Sequence, residues 1–533
     1  MSSSKDTPLP VGPEMSMKPI PSASAPVAAQ SDFMDFVAYH ARSCGQRVAC
    51  VDLAANRDVT YREMDRLVAK CAGWLARALN DGARVAMLSR NSVDMLIVHF
   101  ACVRAGMIFQ PLNWRLSGAE LLALARDATP EILICTEEFE ATAPRACESV
   151  KHVVRTAKGD DALAAAIAAS EPLETLVRDP DRPVTLLYTS GTTGKPKGVI
   201  VTARNAWTTA LNFSCANEVA PRDVLLCDMP LFHVAGLFGV SRSTLFMGGT
   251  VLISDRFTPA TALAMLSDEE LGISHYFAVP QMAATLLQDP NYPRSDLTRL
   301  KALVIGGAPL PKSIVERLLA DGIPPIEGYG LSEAGTVFAM PIDPAIIERK
   351  AGRCGVPAMM IEARLVDTDG HDVAPGEVGE IWLRGPSVTP GYWKQPEITA
   401  KTFHDGWFRT GDAARRDEDG FYEIVDRWKD MYITGGENVY PAEVESVLAE
   451  LPAIAEVAVV GVADAQWGES GCAFVVASSA LSADDVIGHC QGRLARYKIP
   501  KHVRFTDTLP RTGSGKVKKD ELRRAFQELA KER

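Results

Sequence analysis

Residues 188–199 read YTSGTTGKPKGV and follow directly on the apolar run PVTLL, residues 183–187. The stretch holds Gly191, Gly194 and Gly198, the hydroxyls of Thr189, Ser190, Thr192 and Thr193, and two lysines, Lys195 and Lys197. A loop after a buried strand can turn its backbone N–H groups inward and form a concave anion site. Glycines let that backbone pass close to a bulky ligand. The spacing departs from the G-x-x-x-x-G-K-[ST] phosphate loop. On these residues alone two readings stay open, a phosphate cradle and a surface hairpin whose glycines serve a turn.

On either side, helical and strand patterns alternate. YREMDRLVAKCAGWLARAL (61–79) is amphipathic at helical spacing, RVAMLS (84–89) and EILICT (131–136) read as buried strands, and SVDMLIVHFACVRAG (92–106) reads as a helix closed by Gly106. The alternation resumes through DVLLCDMPL (223–231), GTVLIS (249–254), ISHYFAVP (273–280), ALVIGGAPL (302–310) and IPPIEGYGLSEAG (323–335). Such βα alternation predicts a parallel sheet covered by helices. Near residue 350 the texture changes to short alternating segments separated by D-G, G-E and D-E-D-G turns, the signals of an antiparallel barrel or sheet. After Arg427 a strand–helix mixture returns on a smaller scale.

The fold class expected is therefore α/β. A large N-terminal domain of helix-flanked sheets (31–427) carries a small β-barrel subdomain (about 350–427). A domain boundary at 428–430 leads to a small α+β domain (431–533), and residues 1–30, rich in Ser, Pro and Ala, read as a flexible leader. A chain of 533 residues exceeds one hydrophobic core. Its formal charge of −11 argues against a general nucleic-acid binder, which needs a basic face. No apolar run approaches the roughly 18 residues of a membrane span. Eleven scattered cysteines without C-x-x-C or zinc spacing read as reduced thiols of a cytoplasmic enzyme, a monomer or homodimer.

Eight motifs then occur in one order: YTSGTTGKPKG, PLFHVAG (230–236), VIGGAPL (304–310), GYGLSEA (328–334), GWFRTGD (406–412), VDRWKDMYITGGENVYPAEVE (425–445), ARYKIPK (495–501) and LPRTGSGKVKK (509–519). In these the chain resembles the adenylate-forming superfamily of acyl-CoA synthetases, peptide-synthetase adenylation domains and luciferases, over roughly residues 31–530. The resemblance implies two steps. A carboxylate and ATP give acyl-adenylate and pyrophosphate, and a thiol then takes the acyl group.

The roles that follow are those the resemblance implies. Thr189, Ser190, Gly191, Thr192, Thr193 and Lys197 hold the β- and γ-phosphates, and Glu333 with Thr189 holds Mg²⁺, a cation that favours a few oxygen ligands beside phosphate. Ser332 stands where most relatives carry threonine and keeps the hydroxyl. Tyr329, followed by Gly330, stacks on adenine, whose other side meets the backbone of Gly307, Ala308 and Pro309. Asp412 accepts from both ribose hydroxyls, and Arg427 reaches the ribose or α-phosphate. Lys516 in TGSGK enters the site to bind charge developing at the α-phosphate, whereas Lys518, Lys519 and Arg511 read as solvated. Lys429 lies in the hinge (428–430) about which the small, mobile C-terminal domain rotates between the two steps. Gly435, Gly436 and Glu437 replace Lys516 in the second step and form a tunnel for coenzyme A, with Trp467 and Gly468 either touching it or buried. His233 gates the acyl pocket against that tunnel.

The acyl pocket is expected from Leu237, Phe238, Tyr276, Phe277, Val279, Met282 and Gly306. No arginine falls among them, so a second carboxylate would lack a bidentate partner. The acid expected is an apolar monocarboxylate. Room at Gly306 and Gly307, and a phenol-binding group in Tyr276, Gln281 or Gln288, favour an aromatic or phenylpropenoid acid such as ferulate or coumarate over a medium-chain fatty acid. A stand-alone enzyme loading a carrier protein, and a non-catalytic nucleotide binder, are the other two readings. The intact GGENVYP element speaks against the former, and Lys516, Glu333, Asp412 and Arg427 together against the latter.

Overall fold

The computed structural model describes residues 35–144, 147–156, 162–173, 179–189, 196–434, 437–464, 466–511 and 517–531. The leader, residues 1–30, lies outside them. Among the described residues the strands form four sheets.

The largest runs Val356–Pro357, Gly335–Ala339, Pro325–Leu331, Ala302–Gly306, His275–Ala278, Val224–Cys227, Thr250–Ile253, Val48–Asp52 and Arg57–Thr60. Its six central strands pair parallel, and its edges antiparallel. The six-stranded sheet runs His152–Thr156, Ile132–Thr136, Arg84–Leu88, Ile108–Pro111, Pro183–Thr189 and Lys197–Thr202, parallel except for the last pair. Inner parallel strands are buried on both faces, which is why most of them read as apolar runs without alternation, while the edge strand His152–Thr156 is largely exposed. Ala302, Leu303, Val304 and Ile305 are all buried.

Helix Val93–Ala105 is apolar on every side because it lies inside the core shared by both sheets. Ser92 caps its start by accepting from the Met95 N–H, and Gly106 ends it at φ 88°, a left-handed position suited to glycine. Helix Tyr61–Ala78 starts on Thr60, whose hydroxyl accepts from the Glu63 N–H at 3.2 Å.

The β-rich stretch forms a five-stranded antiparallel sheet of Glu362–Val366, Val378–Arg384, Trp407–Arg416, Phe403–His404 and Tyr422–Arg427. Among the described residues its pairings do not close it into the ring of a barrel. It is tied to the large sheet through helix Ala203–Ala216, where Asn205 Nδ2 donates to the carbonyls of Pro386 and Val388, each at 2.9 Å. The fourth sheet is C-terminal, with Glu437–Val439, Tyr432–Thr434, Gly468–Ala477, Ile454–Asp464 and His502–Phe505, and has its own core around Tyr432, Val459 and Val475. One turn of 3-10 helix, Trp428–Asp430, joins it to the preceding sheet.

The parallel pairing has a direct consequence for chemistry. The segments that leave the C-terminal ends of the large sheet's strands, 228–233, 279–282, 307–310 and 332–333, all emerge at one edge, the usual place for ligands in an open α/β sheet.

Candidate active site

Strands Pro183–Thr189 and Lys197–Thr202 are antiparallel, and Thr189 stands opposite Lys197. The glycine-rich loop is thus closed at its base by these two residues. Ser190, Gly191, Thr192, Thr193 and Lys195 lie outside the described residues. Gly198 packs so closely that a Cβ there would stand 3.0 Å from the Tyr188 ring.

Glu333 leaves the end of strand Pro325–Leu331. Its carboxylate accepts from the Tyr392 hydroxyl at 2.9 Å, and its backbone carbonyl accepts from the Thr389 N–H at 2.7 Å. Burial pushes the Glu333 carboxyl up, against the hydrogen bond from Tyr392 and the charge of Arg427. Glu333 and Ser332 line a narrow cleft with Ser387, Thr389, Phe238 and Val234. The Ser387 hydroxyl is buried there without a hydrogen-bond partner among the described residues. A half-buried carboxylate and spare hydroxyl oxygens form a donor set of hard oxygens. That set fits Mg²⁺, which takes carboxylate and hydroxyl ligands beside phosphate, and does not suit a soft thiolate-seeking metal.

Tyr329, Asp412 and Arg427, distant in sequence, come together. The Tyr329 hydroxyl donates to Asp412 Oδ2, and Arg427 Nη1 lies 2.9 Å from Asp412 Oδ1. The Asp412 carboxylate, first of all, holds the Arg427 guanidinium above its ordinary range. One face of Tyr329 rests on Phe338, with ring centroids 5.6 Å apart and 26° between planes. Gly307, Ala308 and Pro309 form an exposed turn after strand Ala302–Gly306, and Gly307 has φ 90°. Glu327 holds this turn from below, since its Oε1 accepts from the Leu310 N–H at 3.3 Å.

His233 precedes a π-helix, Ala235–Arg242. Gly236 is needed there, because a Cβ would stand 2.4 Å from the Pro230 carbonyl oxygen. Of the expected acyl-pocket residues, Phe238 lines the cleft, while Leu237 is buried in the core. Phe277 and Val279 lie against Gly306 and Gly307, at 3.4 and 3.6 Å from the Cβ each glycine lacks. Tyr276 differs from expectation. It is 1% exposed and donates its hydroxyl to Asp228 Oδ2 at 2.7 Å, so it is not offered to a substrate phenol. Strand alternation explains this, since Tyr276 and Phe277 point to opposite faces. Gln281 and Gln288 are exposed on helix Pro280–Gln288, and Met282 is half-buried.

In the C-terminal part, Lys516, Gly435 and Gly436 lie outside the described residues. Lys429 falls in the 3-10 turn Trp428–Asp430. Glu437 is exposed, and Trp467 is 48% exposed rather than buried, next to Gly468, which pairs with Thr434. The three basic residues read as solvated are all paired: Lys519 with Glu445 at 2.8 Å, Arg511 with Glu456 at 2.7 Å and Lys518 with Glu521 at 3.0 Å. Lys519 is the clearest departure, its side chain only 14% exposed.

Tyr392, Thr389, Ser387, Asn205 and Thr209 were not singled out from sequence. The available signal was PGYWK (390–394), an aromatic pair after a glycine in the antiparallel stretch.

Comparison with known proteins matches residues 37–393 to the family described as AMP-binding enzyme, and residues 443–516 to the AMP-binding enzyme C-terminal domain. A feruloyl-CoA synthase from Amycolatopsis sp is 41% identical over 478 residues, 88% of this chain and 94% of that protein. An indoleacetate–CoA ligase from Aromatoleum aromaticum is 38% identical over 480 residues, 88% and 93% of the two chains. The crystal structure of ATP-bound MatB from Rhodopseudomonas palustris superposes with a TM-score of 0.85 at 32% identity, covering 92% of this chain and 99% of that one. On family match, relatives and fold alike, the chain belongs to the AMP-binding enzymes of the adenylate-forming superfamily.

Proposed function

We propose that the protein is an AMP-forming acid–CoA ligase whose acid is an apolar aromatic monocarboxylate of the hydroxycinnamic kind. The observation that carries this reading is the cleft itself, where Glu333 and Ser332 share one space with Phe238 and Val234. Nucleotide-side and acyl-side groups meet there, as an attack of one on the other requires. Among the described residues lining the cleft none is cationic, which suits a single carboxylate. The named activities of the feruloyl-CoA and indoleacetate relatives support the aromatic acid.

In the first step a carboxylate oxygen attacks the α-phosphorus of ATP, an O–P bond forms, and the bond to the β-phosphate oxygen breaks to release pyrophosphate. Two anions meet, so the protein's task is to align and neutralise. Thr189, Lys197 and the loop between them hold the departing phosphates, Asp412 the ribose, Tyr329 the adenine, and Arg427 and Lys516 the charge at the α-phosphate. Glu333 and Thr189 would hold Mg²⁺, which would neutralise phosphate charge. In the second step the thiol sulfur of coenzyme A bonds to the acyl carbon, AMP leaves and the thiol proton passes to solvent. His233 gates the acyl pocket, the turn Trp428–Asp430 around Lys429 acts as hinge, and Gly435, Gly436, Glu437 and Trp467 guide the thiol.

The test is a screen for AMP and pyrophosphate release with ATP, Mg²⁺ and coenzyme A over benzoates, cinnamates and C4–C12 fatty acids. Cinnamates should give the highest kcat/KM, with thioester formed in step with AMP. AMP formed equally without coenzyme A would refute the ligase. A preference for fatty acids would refute the aromatic acid.

A further inference from the structure

Tyr392 is 7% exposed and touches both halves of the phosphate site. Its hydroxyl donates to Glu333 Oε1 at 2.9 Å. The Lys197 ammonium lies over its ring, 5.0 Å from the centroid. The backbone around it is fixed to the same two elements. Thr389 N–H donates to the Glu333 carbonyl at 2.7 Å, Ile200 N–H to the Gly391 carbonyl at 3.1 Å, and Trp393 N–H to the Gly198 carbonyl at 2.8 Å. Thr399 Oγ1 accepts from the Tyr392 N–H at 3.0 Å. Gly391, at φ 144°, leaves no freedom, since a Cβ there would stand 2.4 Å from Thr399 Cγ2. Segment 389–393 is therefore a strap across the strand that carries Lys197 and the residue that carries the carboxylate.

We propose that Tyr392 is the positioning residue of the phosphate site. Its hydroxyl fixes Glu333 with one oxygen engaged and the other left for the divalent cation, and its ring fixes the Lys197 ammonium for a phosphate. The proposal rests on the function given above and deepens it. Two properties of tyrosine are needed at once. A hydroxyl donor to a half-buried carboxylate holds its rotamer, as outer partners of metal ligands do. An aromatic face holds an ammonium without neutralising it, so the lysine keeps its charge for the ligand. A carboxylate in place of the ring would cancel that charge, and an aliphatic residue would leave both groups loose.

The experiment is calorimetric binding of ATP to the full chain, with and without Mg²⁺, for wild type, Tyr392→Phe and Tyr392→Leu. Tyr392→Phe should bind metal-free ATP as wild type does and lose about 10- to 100-fold of the Mg²⁺-dependent gain in affinity. Tyr392→Leu should also bind metal-free ATP several-fold more weakly, on the order of a lost cation–π contact. In a Glu333→Gln background the Tyr392→Phe effect should vanish. A Tyr392→Phe protein with the wild-type Mg²⁺ dependence overturns the proposal. So does one that weakens ATP equally with and without the metal, because that is a general loss of structure. The measurement uses neither acid nor coenzyme A, so an error in the acid or the thiol leaves it unmoved. Wild-type protein that binds no ATP overturns both the function and the proposal.

Discussion

Asp228 sits at the end of strand Val224–Cys227, 6% exposed, with Oδ2 taken by Tyr276 and Oδ1 buried without a partner among the described residues. Burial pushes its carboxyl up to about 7, and the Tyr276 hydroxyl opposes the shift only in part. The unfolded chain ionises this group near the ordinary value of about 3.9. The folded pKa is the higher one, so its contribution to stability is complete below about pH 4. It falls as pH rises and levels off above about 7. Asp228→Asn keeps an acceptor for Tyr276 and cannot ionise. Its melting temperature relative to wild type should therefore rise between pH 5 and pH 8, by the equivalent of about 3 kcal/mol at about 1.4 kcal/mol per unit. An advantage that is constant or shrinks with pH would show that Asp228 titrates normally. This pair also marks a limit of sequence reading. HYFA (275–278) shows that a tyrosine and a phenylalanine lie on opposite faces of a strand, but not which face meets the substrate. The deciding partner, Asp228, is on another strand.

The π-helix Ala235–Arg242 turns Phe238 into the cleft. Behind it, the His99 ring meets the Phe238 ring edge-on, at 5.5 Å and 87°, and a side chain so backed cannot swing aside. On the proposed function this element sets how far an acyl group extends. Phe238→Leu shortens the wall at modest cost in packing. The kcat/KM ratio of a bulky cinnamate over benzoate should rise by about tenfold, the scale on which one or two methylene-sized changes discriminate in an apolar pocket. An unchanged ratio would remove Phe238 from the acyl pocket. AGLFGVSR (235–242) was legible only as a segment after His233 expected to supply Leu237 and Phe238 to the acyl pocket, with no helix read into it. Its π winding was not legible, since i→i+5 bonding leaves no period in eight residues. Most inner parallel strands, by contrast, were legible from their unbroken apolar runs, whereas Val48–Asp52, Ile108–Pro111 and the exposed edge strand His152–Thr156 were not. The five-stranded sheet was legible as antiparallel from its turns, though not as an open sheet. Whether a sheet closes depends on pairings between segments far apart in the chain.

At the scale of the molecule, two polar ties among the described residues join the C-terminal part to the hinge region. The Ala442 N–H donates to Asp426 Oδ2 at 2.7 Å, and Arg523 Nη2 on helix Lys519–Lys531 reaches Asp430 Oδ1 at 3.0 Å across the hinge turn. Glu437 and Trp467 face solvent. A side chain meant to guide a thiol has no use for solvent, so on the proposed function this arrangement serves the first step and a rotation about Trp428–Asp430 serves the second. Motif order announced that the two ends of the chain cooperate. Their meeting was not legible, because no local pattern records the angle between two bodies joined by three residues. The division of labour can still be tested through Lys516. Its ammonium is asked to stabilise charge only while the carboxylate attacks phosphorus, and the thiol's attack on carbon develops no such charge at that position. Lys516→Ala should lower acyl-adenylate formation from ATP and acid by at least about a hundredfold, the scale of losing one preorganised donor. Given synthetic acyl-adenylate and coenzyme A, the same variant should form thioester at close to the wild-type rate. Quenched-flow measurement of each half-reaction separates the two cases. Equal loss in both would mean that Lys516 holds the fold or the closed form in common, and that a single arrangement of the C-terminal sheet performs the whole reaction.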